Sequence, residues 1–188
     1  MRYKTITSHV AFIMLLLVLI TFTPCKAQAV TWTQLNQDGF GNPDNTDFRG
    51  LCTFNDSIYA ATRNFTTGTQ VWNYDGSDWT QVNEDGFGNP CNIATWSMRP
   101  CQHGLCLGTV NNATGCELWS YDGDTWTQRA SGGFADQNNT MAASMAEFDS
   151  FGYIGTSNAV TGTEVWKLGS GKQQVNSDGF GDVNNIHT

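Results

Sequence analysis

Two polar motifs recur along this chain and carry the side chains best suited to chemistry. One reads Asn36-x-Asp38-Gly39-Phe40-Gly41-Asn42, then Asn83-x-Asp85-Gly86-Phe87-Gly88-Asn89, and finally Asn176-x-Asp178-Gly179-Phe180-Gly181-Asp182. The other reads Asn64-Phe65-Thr66-Thr67-Gly68, Asn111-Asn112-Ala113-Thr114-Gly115 and Asn158-Ala159-Val160-Thr161-Gly162. Amides offer paired donors and acceptors, and aromatic faces stack on sugar C–H groups, so this mixture suits a neutral polyhydroxylated ligand. The candidate ligand-binding set is Asp38, Phe40, Asn45, Asn64, Asp85, Phe87, Asn92, Asn111, Asn139, Asn158, Asp178 and Phe180. A competing reading is structural: Asn, Asp and Gly favour tight loops because their side chains bond the local backbone and tolerate left-handed φ, and the Phe plugs a gap.

Other chemistries have less to work with. Asn-x-Asp-Gly resembles the middle of an oxygen-rich calcium loop, but the bidentate acid that ends such a loop is missing, and the third copy has Ala130 and Gly132 at the ligand positions. Calcium is therefore the alternative to an expectation of no cofactor and no metal. Only His103 and His187 follow residue 29, and there is no Gly-x-Ser-x-Gly elbow, phosphate loop or histidine metal motif. Glu117 and Glu164 repeat at one position that Gln70 fills in the first copy, which argues against unequal acid and base roles. No catalytic residue is expected, and the chain reads as a non-enzyme.

The elements that must position these motifs are set by an interval of 47 residues. Phe40, Phe87 and Phe134 follow it, as do Trp72, Trp119 and Trp166, Trp32, Trp79 and Trp126, Asn45, Asn92 and Asn139, and Asn64, Asn111 and Asn158; the last repeat is one residue shorter, bringing in Phe180 and Asn185. Within the first repeat the pattern predicts strands at about 48–54 (a), 57–62 (b), 69–74 (c) and 78–83 (d), with Tyr74-Asp75-Gly76 turning c into d. Four antiparallel strands per repeat predict an all-β, β-propeller-type array of four-stranded blades: three complete repeats at about 42–88, 89–135 and 136–181, preceded by a d strand at 31–36. In such blades the d-to-a and b-to-c loops emerge on one face, which brings both polar motifs together. Closed propellers generally carry about four to eight blades, so the array is read as incomplete, either a piece of a longer protein or a chain whose copies join to close the ring.

Trp72–Gln81 (WNYDGSDWTQ) and Trp119–Gln128 (WSYDGDTWTQ) resemble the Tyr-then-Trp half of a kelch repeat, and Phe54–Thr62 (FNDSIYAAT) resembles its preceding hairpin. The kelch diglycine is replaced by Ala61-Thr62, Gly108-Thr109 and Gly155-Thr156. The DGFG and TGTEVW elements are closer to kelch-like repeats of secreted bacterial and archaeal proteins. This resemblance implies a propeller fold and carries no catalytic residue across.

The repeat also supplies a control for the cysteines. Phe54 and Tyr59 flank a two-residue turn and should face each other across the a–b hairpin, as should Phe148 and Tyr153; in the second repeat that pair becomes Cys101 and Cys106. Joint replacement predicts a Cys101–Cys106 disulfide, with Cys91 and Cys116 as the next candidate pair and Cys52 left over. Asn-x-Ser/Thr sequons begin at Asn55, Asn64, Asn112 and Asn138.

Arg2 and Lys4 precede an apolar run from Val10 to Ile20, and a polar stretch ends Ala27-Gln28-Ala29, the pattern of a cleaved secretory signal over residues 1–29. The mature chain is then expected to be extracellular or on the cell surface, without a membrane span. Six basic side chains against 17 acidic ones after residue 29 repel phosphate backbones, so no nucleic-acid partner is expected. The expected function is a binding or adhesion module with a lectin-like carbohydrate-binding loop face, its partners glycans or cell-surface components. The alternatives are a structural cell-surface or matrix component, or a calcium-binding repeat protein.

Overall fold

The computed structural model describes residues 31–188, so the signal segment expected at 1–29 lies outside the described residues. Twelve antiparallel strands form one open hydrogen-bonded sheet. The first repeat supplies β1 (Asn45–Phe54), β2 (Ser57–Asn64), β3 (Val71–Tyr74) and β4 (Trp79–Gln81); the second β5 (Ala94–Cys101), β6 (Gly104–Val110), β7 (Leu118–Tyr121) and β8 (Trp126–Ala130); the third β9 (Asn139–Phe148), β10 (Phe151–Asn158), β11 (Val165–Leu168) and β12 (Lys172–Gln174). Each set pairs in chain order as a four-stranded meander. Single bridges, Arg63 with Ala94 and Val110 with Met141, join one meander to the next.

Strand a of every repeat carries one extra residue in the same place. Arg49, Trp96 and Ala143 are each left without a cross-strand partner between two paired neighbours. A bulge there steepens the local twist of the strands that lie against each other from repeat to repeat, β1 on β5 and β5 on β9. Strand b is buried along most of its length, which explains why its central residues are small: Ala60, Ala61, Thr62 and Gly108 leave room for the neighbouring repeat. A Cβ on Gly108 would come within 2.5 Å of the Ala142 Cβ, so the close approach of the second and third repeats requires glycine.

Four short loop segments flank the repeats, DGFG at 38–41, 85–88 and 178–181 and GGFA at 132–135. In all four, the Phe holds a left-handed conformation, with φ of 55°, 58°, 71° and 58° for Phe40, Phe87, Phe134 and Phe180. A bulky side chain rarely accepts that backbone; in all four loops an asparagine Nδ2 (Asn45, Asn92, Asn139, Asn185) donates to the carbonyl of the preceding glycine at 2.9 Å, and in the first three the ring is also packed. Phe40 stacks on Trp72 at 4.9 Å, Phe87 on Trp119 at 4.7 Å and Phe134 on Trp166 at 6.0 Å. Phe180 adopts the same loop without a stacking partner among the described residues and is 62% exposed.

Three sequence expectations are corrected. Residues 31–36 form no strand: a d strand needs a c strand beside it, and none precedes it among the described residues. The Phe54/Tyr59 and Cys101/Cys106 pairs are diagonal rather than directly opposite, because Cys52 pairs with Tyr59 and Arg99 with Cys106. The diagonal pair still meets, with Cα atoms of Cys101 and Cys106 5.7 Å apart, and the disulfide is formed. The second pairing is not, since Cys91 is an exposed thiol and Cys116 a buried one.

Burial pushes the Cys116 thiol up to about 12 and the Cys52 thiol to about 11. Thiolate is the reactive form, so a disulfide reagent at pH 8 is expected to modify Cys91 fast and Cys52 slowly, and to leave Cys116 untouched until denaturant is added. Mass spectrometry of a labelling time course checks this, and early labelling of Cys116 would contradict the packing described.

Candidate functional site

The loop face was the expected site, and the six asparagines of the candidate set turn out to face inward. Asn64, Asn92, Asn111, Asn139 and Asn158 are fully buried and Asn45 nearly so. Their spacing serves a chain of amide contacts. In the second repeat the Asn92 Nδ2 donates to the Gly86 carbonyl and to Glu117 Oε2, both at 2.9 Å, and Asn92 Oδ1 accepts from Asn111 Nδ2 at 3.0 Å. Asn111 Oδ1 in turn accepts the backbone N–H groups of Ala113 and Thr114, fixing the b–c turn. The same pattern links Asn45 with Asn64 and Asn139 with Asn158.

Asn45, Asn64, Asn92, Asn111, Asn139 and Asn158 therefore cannot meet a ligand at the surface, which corrects their placement in the ligand-binding set. A buried amide must find partners inside, and short loops supply them. The sequon at Asn64 is inaccessible for the same reason, while Asn55, Asn112 and Asn138 are exposed. Asp38, Asp85 and Asp178 each accept a side-chain amide, from Gln34, Gln81 and Gln174 respectively, at 2.7–2.8 Å. Phe40 and Phe87 are half-buried against tryptophans; among the four loop phenylalanines Phe180 presents most of its ring. Among the described residues no group of three or more His, Cys, Asp or Glu is gathered at metal-binding distance.

The glutamate column belongs to the same interior. Glu117 Oε2 accepts from Asn92, from Trp119 Nε1 at 2.8 Å and from Gln128 Nε2 at 3.1 Å; Glu164 Oε2 accepts from Asn139 at 2.6 Å and Trp166 Nε1 at 2.7 Å. Gln70 takes the equivalent bonds from Asn45 and Trp72 with a neutral oxygen. These are structural acceptors for the tryptophan column, equivalent from repeat to repeat.

The cavity lies elsewhere, between the second and third repeats at the end carrying the a–b and c–d hairpins. It encloses about 660 Å³. Its walls are the Cys101–Cys106 hairpin, Arg99 and Arg129 from the second repeat, and Met145, Glu147, Gly152, Ile154, Leu168 and Lys172 from the third.

The reason it is open is visible one repeat earlier. Between the first and second repeats the equivalent space is packed by Tyr59, Leu105, Tyr121, Val71 and Leu107, with Phe54, Val82, Cys52 and Trp126 against them. Tyr59 and Tyr121 meet edge-on at 6.0 Å, Tyr121 stacks on Trp126 at 4.8 Å, and the Trp126 indole donates to the Val82 carbonyl at 2.8 Å. In the next gap Cys106 stands for Tyr59, Cys101 for Phe54, Gly152 for Leu105 and Leu168 for Tyr121. Lys172 stands for Trp126, as the pairing of Leu168 with Lys172 and of Tyr121 with Trp126 requires.

Sequence reasoning missed this site because it followed what recurs, whereas the cavity is made of departures from the repeat. The exchange of an aromatic pair for Cys101 and Cys106 was the available signal; the loss of Tyr, Leu and Trp from the same gap was the rest of it.

No family model, curated protein or solved structure matches the chain.

Proposed function

We propose that this chain is a non-catalytic, exported binding module of the β-propeller type, kelch-like in its repeats, whose ligand is an oligosaccharide held in the cavity between the second and third repeats. The three four-stranded meanders, bulged at one place and bridged singly, support radial blades. The cavity carries the functional reading: its 660 Å³ falls within the roughly 300–1,000 Å³ typical of small-molecule sites, and it mixes an apolar floor with amide and hydroxyl groups of Gln102, Gln128, Ser150 and Ser170.

A structural array without a ligand is the second reading, favoured by the buried asparagine columns, whose bonds are spent on cohesion. One substitution separates the two. Gly152→Leu restores the residue found at Leu105, and a Cβ there meets only ordinary contacts with Leu168 at 3.9 and 4.0 Å. On a glycan array the wild-type chain is expected to retain a subset of oligosaccharides that Gly152→Leu loses, with unchanged or higher thermal stability. Silence of the wild type across a broad panel would favour the structural array.

A further inference from the structure

We infer that the cavity between the second and third repeats selects an acidic oligosaccharide, one bearing carboxylates such as a uronate trimer. The inference rests on the glycan reading above and adds the charge of the ligand. Its basis is the distribution of cations. Only six of the nine Lys and Arg residues follow residue 29, and three of those six, Arg99, Arg129 and Lys172, line this one cavity, with His103 at its rim. Each replaces a neutral side chain of the preceding gap: Arg99 stands for Cys52, Arg129 for Val82 and Lys172 for Trp126. The repeat thus lost its aromatic filling and gained positive charge in the same place.

Those charges are left uncompensated. Both ion pairs among the described residues use Asp47, with Arg49 and Arg63, far from this gap in the chain. Arg99 donates to the Pro100 and Met145 carbonyls at 3.3 and 2.9 Å, and Arg129 Nε donates to Ser120 Oγ at 2.7 Å. These neutral acceptors orient the guanidinium groups without cancelling their charge. The one carboxylate in the wall, Glu147, accepts the backbone N–H of Gln102 at 2.6 Å.

A guanidinium fork matches a planar carboxylate through two parallel bonds, and a recess with apolar walls strengthens the attraction. The apolar floor of Leu118, Ile154 and Leu168 accepts the C–H face of a sugar ring. The acidic remainder of the chain disfavours long polyanions, so a short acidic oligosaccharide fits the charge pattern better than nucleic acid.

Calorimetric titration of the whole chain with trigalacturonate, and separately with maltotriose, tests the inference. Trigalacturonate is expected to bind with one saturable site, weakening at least about fivefold between roughly 50 and 300 mM salt. Arg129→Met and Lys172→Met are each expected to weaken it by about tenfold, the scale of one charge-assisted contact. Gly152→Leu should abolish it by refilling the recess. Maltotriose binding as tightly, and blocked by Gly152→Leu, would overturn the charge inference while leaving the glycan reading standing. Trigalacturonate binding that ignores Gly152→Leu and both cation variants would overturn the site, and absence of trigalacturonate binding would overturn the inference outright.

Discussion

Replacing Phe134 by alanine is expected to cost about 3–5 kcal/mol of stability, while the same change at Phe180 stays within about 0.5 kcal/mol. The two residues occupy the same position of the DGFG-type loop, share the left-handed backbone, and differ in what covers the ring. Phe134 is 1% exposed in a cluster with Cys116, Leu118, Ala130, Ala142, Ile154 and Trp166, so truncation leaves a void that neighbours on five strands cannot close. Phe180 has no such cluster and loses little by losing its ring. Urea unfolding followed by tryptophan fluorescence, with the slope checked for constancy, reads both values. Equal losses at the two positions would mean that loop geometry, rather than aromatic burial, sets the role of this residue.

The second large effect is expected at Asn92. Changing it to alanine removes the donor to the Gly86 carbonyl and one of three donors to Glu117 Oε2, and leaves Asn111 Nδ2 without its partner. A buried polar group stripped of its bond costs roughly 1–3 kcal/mol, so several together sum to about 3–4 kcal/mol. Asn185, in the same column but exposed, with its side chain bonded among the described residues through Nδ2 to the Gly179 carbonyl alone, should lose less than about 1 kcal/mol on the same change. The Asn92→Ala/Asn111→Ala double variant should be milder than the sum of the single variants, since the orphaned donor is gone as well. A loss under about 1 kcal/mol at Asn92 would show that these columns are not integral to cohesion.

These contrasts follow from one property of a repeat. A residue type recurs because the loop or the gap demands it, but the cost of losing it depends on whether another repeat covers it. Phe48 shows the same rule in strand a: it is 54% exposed, whereas Thr95 and Ala142 at its position are fully buried by a preceding repeat. Column membership was legible in the sequence; coverage was not.

The four strands expected in the first repeat lie within a few residues of those observed, and the Cys101–Cys106 bond forms as expected. Both depend on neighbours in the chain: turn residues such as Tyr74-Asp75-Gly76, and a hairpin only two residues across. The loop asparagines were misplaced because an amide that bonds a local turn and an amide that reaches solvent call for the same residue type. Only the meeting of Asn92 with Glu117, 25 residues on, decides between them.

What the amino-acid order determined alone is therefore the period, the alternation of strand and turn, and the hairpin disulfide, since each arises from interactions within about one repeat. What the tertiary structure decided is which side of each recurring residue faces another repeat, and that the gap before the third repeat is open and lined by Arg99, Arg129 and Lys172. The physical reason is that packing is a property of two surfaces: Gly152 or Lys172 is unremarkable in its own strand, and acquires meaning only opposite Cys106, from a strand more than 40 residues earlier.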